Sequence, residues 1–152
     1  MHTTETEPFE LLIRVRYSEC DAQSVVFNAR YADYADLAST EFMREVLGGY
    51  QHILDMGFDN QVVSMHIDWQ SSAKFDDILS LKTQVIKAGN SSFCMQVDMF
   101  EFTTGRAIAT AQIVYVMVDA KLFKKLPIPL SIKESLLAGA PSVQVNLAGK
   151  LI

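Results

Sequence analysis

Residues 17–44, YSECDAQSVVFNARYADYADLASTEFMR, decide how the rest of the chain is read. Here a strand-like segment gives way to a short polar connection and then to an alanine-rich helix. Upstream, Phe9, Leu11, Ile13, Val15 and Tyr17 alternate with Glu10, Leu12, Arg14 and Arg16, and this period of two predicts a half-buried strand. The connection from Ser18 to Phe27 carries Asp21 at its middle, where a ligand can reach a carboxylate. From Arg30 to Leu47 the period becomes helical, with Tyr31, Tyr34, Ala35, Ala38, Phe42 and Val46 on one stripe and Asp33, Asp36, Glu41 and Arg44 largely opposite. Asn28 is the expected N-cap and Gly48-Gly49 the expected stop. A helix of this length spans about 27 Å at about 1.5 Å per residue, enough to lie across a whole sheet. Ala32, Ala35, Ala38 and Ser39 would let neighbouring backbone approach it closely.

Beyond this helix the pattern is almost continuously that of strands. Val63, Met65, Ile67 and Trp69 alternate with Ser64, His66 and Asp68. Leu79, Leu81, Thr83 and Val85 form a second run, and Phe93, Met95, Val97 and Met99 a third. The longest run is Ala107, Ala109, Ala111, Ile113, Tyr115 and Met117. Gly89-Asn90 and Thr104-Gly105 punctuate the last three runs as hairpin turns, which predicts an antiparallel meander. Pro127 and Pro129 mark a connection that opposes both helix and central strand. Ser131 is then the expected cap of a short helix through Leu137, and residues 139–152 have no firm pattern. The order of strand, long helix and at least four strands is an α+β plan of one antiparallel sheet against one helix. A strongly curved sheet around that helix would bury its alanines on several sides.

The chain has 152 residues, and a single domain is expected, with residues 1–8 a flexible tail. A hydrophobic fraction of 49% against 20% charged residues is the composition of a globular protein that folds without metal or disulfide support. Thirteen basic against eighteen acidic side chains give a formal net charge of -5, which disfavours nucleic acid and anionic membranes as partners. Cys20 and Cys94 form no CxxC unit, so neither a zinc site nor a disulfide framework is expected. The N-terminus lacks a basic region followed by an apolar core, and no apolar run of about 18 residues occurs. The expectation is a cytoplasmic protein with no secretory signal or membrane span.

The segment YSECDAQSVVFNARYADYADLASTEFMRE, together with WQSSAKFDDILSLKTQVIKAGNSSF downstream, resembles the hot-dog-fold acyl-CoA thioesterases of the 4-hydroxybenzoyl-CoA thioesterase type. The resemblance runs from about Phe9 to Leu137. It rests on the aspartate followed by a small-residue turn, on Asn-Ala-Arg-Tyr at the helix start, and on the FDD and SS pairs of the meander. It implies a five-stranded antiparallel sheet wrapped around one long central helix. It also implies a homodimer or homotetramer with active sites at the subunit interface, an acyl-CoA or acyl-carrier-protein substrate, and no cofactor or metal.

Asp21 falls where this family carries its catalytic carboxylate. A thioester carbonyl is already activated, and a thiol with a pKa of about 8.5 leaves readily, so one carboxylate and an oxyanion site suffice. Asp21 either attacks the carbonyl to give a mixed anhydride or takes a proton from water, and the sequence does not separate these routes. The resemblance gives the oxyanion role to the helix start, with the backbone N–H of Asn28 as donor and Phe27 as its neighbour. The Asn28 side chain is open to two readings, helix cap or a group that orients water or the carbonyl. Many members carry His at the Asn28 position and Gly at the Ser24 position, and the Asn here removes a titratable partner. Tyr17 matches a pocket-lining tyrosine of the family and is equally a core residue by its strand phase.

Substrate contacts implied by the resemblance are Ser91 and Ser92, after the Gly89-Asn90 turn, for the CoA arm. Lys74, Lys87 and Arg106 are candidates for its phosphates. His52 and His66 lack metal-ligand spacing, and Cys20 lacks a base. Met65, Met95, Met99, Phe93 and Phe100 are core by alternation, with an acyl tunnel as the alternative. Two other functions compete with hydrolysis, a hot-dog hydratase or dehydratase and an acyl-CoA-binding module without turnover.

Overall fold

Six strands form one sheet in the computed structural model, which describes residues 6–152. They are β1 (Phe9–Arg14), β2 (Phe58–Trp69), β3 (Ile78–Ala88), β4 (Ser92–Glu101), β5 (Ala107–Asp119) and β6 (Gln144–Asn146), in the spatial order β2-β5-β4-β3-β1-β6. All neighbours are antiparallel except β1 and β6, which run parallel. Three helices accompany them: α1 (Arg30–Leu47), α2 (Tyr50–Asp55) and α3 (Leu130–Ala138). The α+β plan therefore stands, with six strands in place of five and two shorter helices beside the long one. β6 is too short to show a period, and α2 begins directly after the Gly48-Gly49 stop, so neither left a pattern to read.

α1 has the bounds that the helical period predicts, and it ends on Gly48 at φ +79°, the left-handed conformation that glycine adopts without penalty. Its buried stripe, Tyr31, Tyr34, Ala35, Ala38 and Phe42, packs on the inward residues of the sheet. Leu79 and Leu81 of β3, Met95, Val97 and Met99 of β4, and Ala109, Ala111 and Ile113 of β5 lie in the same core. Alanine faces alanine where α1 meets β5, so helix and sheet pack closely. Phe9 meets Phe42 edge-on at 5.9 Å, and Phe93 stacks on Tyr115 at 5.1 Å. Phe93, Met95 and Met99 are thus core residues. Phe100 points to the other face beneath Lys82, 5.5 Å from its ring centre.

Three expectations of local structure need correction. β1 stops at Arg14, because the chain turns into a 3-10 turn at Tyr17–Glu19, and Tyr17 is 81% exposed instead of buried. Position 29, not Asn28, is the N-cap of α1, and it makes no side-chain cap hydrogen bond. α3 opens on Leu130 after Pro129, so Ser131 lies inside the helix. The proposed tail also changes: residues 1–5 lie outside the described residues, whereas Glu7 pairs with Lys82 at 3.1 Å and accepts the Ser142 N–H at 2.7 Å.

β2 departs from its expected half-burial. It is the outer strand of the sheet, and a bulge between Val62 and Ser64 moves Val63 out of the alternation. Val62, Val63 and Trp69 are each half exposed. Among the described residues no helix is long and apolar enough to cross a membrane.

Candidate active site

The loop that carries Asp21 is fixed mainly by its own backbone. The Asp21 N–H donates to Val25 O at 2.9 Å, the Ser24 N–H to Asp21 O at 3.0 Å, and the Gln23 N–H to one carboxylate oxygen of Asp21 at 2.7 Å. This is a tight turn closed by its own aspartate, a habit of Asp that follows from its short acceptor side chain. Ser24 takes φ +63°, which glycine would adopt without strain and serine does not. Isolated bridges tie Cys20 to Val26 and Val25 to Lys74, and the Val26 N–H donates to Ala73 O at 2.9 Å. Ala73 in turn donates its N–H to the hydroxyl of Tyr31 in α1 at 3.1 Å. Loop, helix and the segment after β2 are thus held as one unit.

Beneath the loop lies Glu19, only 4% exposed and not anticipated from the sequence. One oxygen accepts the Arg16 N–H at 2.8 Å and the buried Tyr34 hydroxyl at 3.0 Å, and the other accepts Arg16 Nη2 at 3.0 Å. Burial pushes this carboxyl up, but the hydrogen bonds from Arg16 and Tyr34 outweigh it and hold Glu19 below the usual carboxylate range. The same partnership works the other way on Tyr34: burial first, then the Glu19 charge, raises its hydroxyl far above the ordinary tyrosine value. The Glu19 carbonyl accepts the Phe27 N–H at 2.9 Å, so this residue fixes both ends of the loop. The available signal was an acid two residues before Asp21 with Arg16 three residues before it, a spacing also common on open surfaces.

Asp21 and Asn28 line one cleft of about 340 Å³ with Gln23, Tyr31, Trp69, Gln70, Ser71 and Ser72. Tyr31 and Trp69 meet edge-on at 6.0 Å across it. No acceptor among the described residues takes the Asn28 N–H, which points from the first turn before α1. Phe27 differs from expectation, because its N–H is already given to Glu19 and its ring is half exposed. Tyr17 does not enter the cleft, and its ring meets Phe75 edge-on at 5.8 Å on the surface.

A family profile described as the thioesterase-like superfamily matches residues 15–136. The chain belongs to this superfamily. Among its relatives is the acyl-CoA thioesterase YbgC of Haemophilus influenzae, 28% identical over 128 residues, which cover 82% of this chain and 91% of that one. The long-chain acyl-CoA thioesterase FadM of Escherichia coli is 28% identical over 125 residues, 82% of this chain and 93% of its own. Of solved structures, a hypothetical protein of Aquifex aeolicus superposes with a TM-score of 0.78 at 26% identity, over 85% of this chain and 99% of its own. A thioesterase-superfamily protein of Jannaschia shares the fold with a TM-score of 0.82 at 22% identity, over 93% of this chain and 99% of its own.

The other residues that the resemblance assigns to substrate fall into two groups. Lys74 and Arg106 lie beside the cleft of this superfamily member. Arg106 is largely committed: its Nη1 donates to the Ser71 hydroxyl and to Ser72 O at 3.0 Å, and its Nη2 lies 3.9 Å from Asp77. It therefore shapes the cleft wall. Ser91, Ser92 and Lys87 stand at the other end of the sheet, since Ser92 pairs with Val116 near the end of β5 while Trp69 pairs with Ala109 near its start. One chain does not bring them to Asp21.

The remaining ionisable candidates have no place in this cleft. His66 is paired to Asp68 at 3.0 Å on the exposed face of β2, and His52 lies on α2. Burial, with the Glu19 and Asp21 charges adding to it, raises the Cys20 thiol, which opposes a thiolate nucleophile. Among the described residues no cluster of three or more His, Cys, Asp or Glu is placed to hold a metal.

Proposed function

We propose that the chain hydrolyses the thioester bond of an acyl-CoA, releasing a carboxylic acid and the thiol of CoA. Asp21 supplies the reacting carboxylate, and the Asn28 N–H receives the charge that develops on the carbonyl oxygen. One observation carries this reading: a single cleft holds a carboxylate beside a backbone N–H that has no acceptor in the chain. A fixed donor of this kind, aimed where charge develops, is the largest single contribution in many acyl-transfer enzymes. The names of the relatives favour CoA over a carrier protein as the thiol handle. Asp21 acts either as nucleophile, forming a mixed anhydride that water then opens, or as the base that takes a proton from the attacking water.

The working unit is a homodimer. β2 presents twelve residues of unpaired strand edge with three half-exposed apolar side chains, a surface that pairing with a second copy would cover. Two β2 strands joined antiparallel about a two-fold axis place the Gln61 end of one beside the Trp69 end of the other. Ser91 and Ser92 of the partner subunit then approach the Asp21 cleft, because Gln61, Val116 and Ser92 are successive neighbours across β2, β5 and β4. The two groups of substrate residues that one chain separates are thereby reunited.

Thiol release from a panel of purified acyl-CoA thioesters tests the reading. Turnover is expected from the wild type and is expected to be lost in a folded Asp21→Asn variant. Full activity in Asp21→Asn removes Asp21 from the mechanism, and tight acyl-CoA binding without cleavage would make the chain a binding module.

A further inference from the structure

Two cavities of similar size open along the β2 side of α1. One is the Asp21 cleft. The other, about 330 Å³, lies between α1, α2, β2 and β5, with Met43, Ile53, Val62 and the Tyr115 ring as its apolar wall. Its polar groups are unequally satisfied. The buried Tyr115 hydroxyl donates to Ser39 Oγ at 2.7 Å, and the Tyr50 hydroxyl donates to Asp59 at 2.7 Å. Asn60 Oδ1, in contrast, is buried and accepts nothing, the one such side-chain atom among the described residues. A buried acceptor left without a donor carries a desolvation penalty, so its persistence calls for an explanation in bound water or ligand. The exposed Asp36 at the same cavity is a second acceptor and repels anions. A ligand that fits must therefore bring a neutral hydrogen-bond donor to an otherwise apolar space.

The cavity is joined to the cleft by the helix itself. Asn28, Ala32, Asp36, Ser39 and Met43 are spaced by four, four, three and four residues, which puts them on one stripe of α1. Asn28 to Asp36 is a run of about 12 Å. Ala32 stands between the two spaces with only a methyl group. A cavity of about 150 Å³ holds a benzene ring, so this one takes a substituted ring or a group of similar bulk, and not a long straight chain in full.

We infer that this second cavity is a specificity subsite for a compact, hydroxyl-bearing end of the acyl group, with Asn60 Oδ1 accepting the hydroxyl proton. The inference rests on the thioesterase reading for the acyl part of the ligand. The chemistry of the cavity stands on its own geometry.

The test compares para-hydroxyphenylacetyl-CoA with phenylacetyl-CoA as substrates of the wild type, Asn60→Leu and Asn60→Asp. The wild type is expected to favour the hydroxylated thioester by about tenfold in kcat/KM, the size of one net hydrogen bond. Asn60→Leu should lose this preference, and Asn60→Asp, which keeps an acceptor, should retain it. No preference in the wild type, or an undiminished one in a folded Asn60→Leu, overturns the inference while leaving hydrolysis intact. A second arm measures para-cresol and toluene binding by calorimetry, without any thioester. Tighter cresol binding in the wild type that disappears in Asn60→Leu supports the cavity's chemistry, and equal or absent binding of both overturns it. If no thioester is cleaved at all, the hydrolase reading and the acyl assignment fall together, and the cresol arm still decides what Asn60 selects.

Discussion

The Asp21 loop and the Asn60 cavity lie at two points of the same face of α1, and their hydrogen bonding is opposite. Around Asp21 nearly every nearby polar group has a partner inside the chain, from Gln23, Ser24 and Val25 in the turn to Glu19 beneath it. At Asn60 a buried oxygen has none. A saturated network holds one geometry before substrate arrives, as an electrostatic site requires. An unsatisfied one leaves stability unused until a ligand completes it. Chemistry and selectivity are thus assigned to two places with different physical character, and each substitution below tests one side of that division.

The largest effect belongs to the reacting group. Asp21→Asn is expected to lower kcat/KM by about a thousandfold, in the range that general acid–base or nucleophilic groups supply. The Asn side chain still accepts the Gln23 N–H, so the thermal midpoint should stay close to that of the wild type. A large loss of stability would mean that the carboxylate is there for the turn and not for the substrate.

Next comes the assembly that completes the cleft. Val63→Asp places a charge on the bulge of β2, where the side chain is 58% exposed in the single chain. Light scattering should show a monomer, and activity should fall by about a hundredfold with Asp21 untouched, as expected when substrate-positioning groups are lost. A monomeric variant with full activity would confine the whole site to one chain.

How much of this contrast the sequence disclosed follows from what each part is made of. α1 was legible to the residue, because its stripe repeats over five turns and Gly48 supplies a left-handed stop. The meander was legible because every strand in it buries one face. The failures are where a single contact overrides the local pattern. Tyr17 continues an alternation that the Arg16–Glu19 hydrogen bonds bring to an end, and β2 alternates toward a face that its own chain leaves open. Asp21 was found because a loop carboxylate next to a helix start is a recognisable arrangement. Asn60 gave no signal, since its isolation depends on α1, α2 and β5 meeting around it.

Glu19 tests whether the saturation of the loop matters. Glu19→Ala leaves the Tyr34 hydroxyl buried without an acceptor and is expected to cost about 2 kcal/mol. The Arg16 head is largely in water, so the ion pair itself adds little to this figure. Because the folded protein holds Glu19 below the usual carboxylate range, its contribution is complete above the unfolded value near 4.5. It is lost as pH falls through the lowered folded value, so wild-type stability should decline in acid, and Glu19→Gln should lack that part of the decline. Identical acid profiles for the two proteins would detach Glu19 from the loop's stability.

Asn60→Leu should act in the other direction. Replacing an unsatisfied buried amide by an apolar group of similar size is expected to raise stability by about 1 kcal/mol, while removing the selectivity for a hydroxyl. A destabilised variant would mean that the oxygen has a partner, in solution or across the dimer, and the contrast with Asp21 would narrow.

The smallest effect lies at Ser24. Its φ of +63° costs a non-glycine residue about 1 kcal/mol, and Ser24→Gly would remove that strain. Glycine also enlarges the unfolded ensemble by roughly 0.5–1 kcal/mol, so the two terms nearly cancel and the midpoint should move by at most a degree or two. The informative quantity is therefore the rate and not the stability. If the turn is held by the Gln23 and Val25 hydrogen bonds rather than by residue 24, kcat of Ser24→Gly should match the wild type within about twofold. A tenfold fall at unchanged stability would show that the serine's restricted backbone helps to hold Asp21, and that the loop is less saturated than its hydrogen bonds imply.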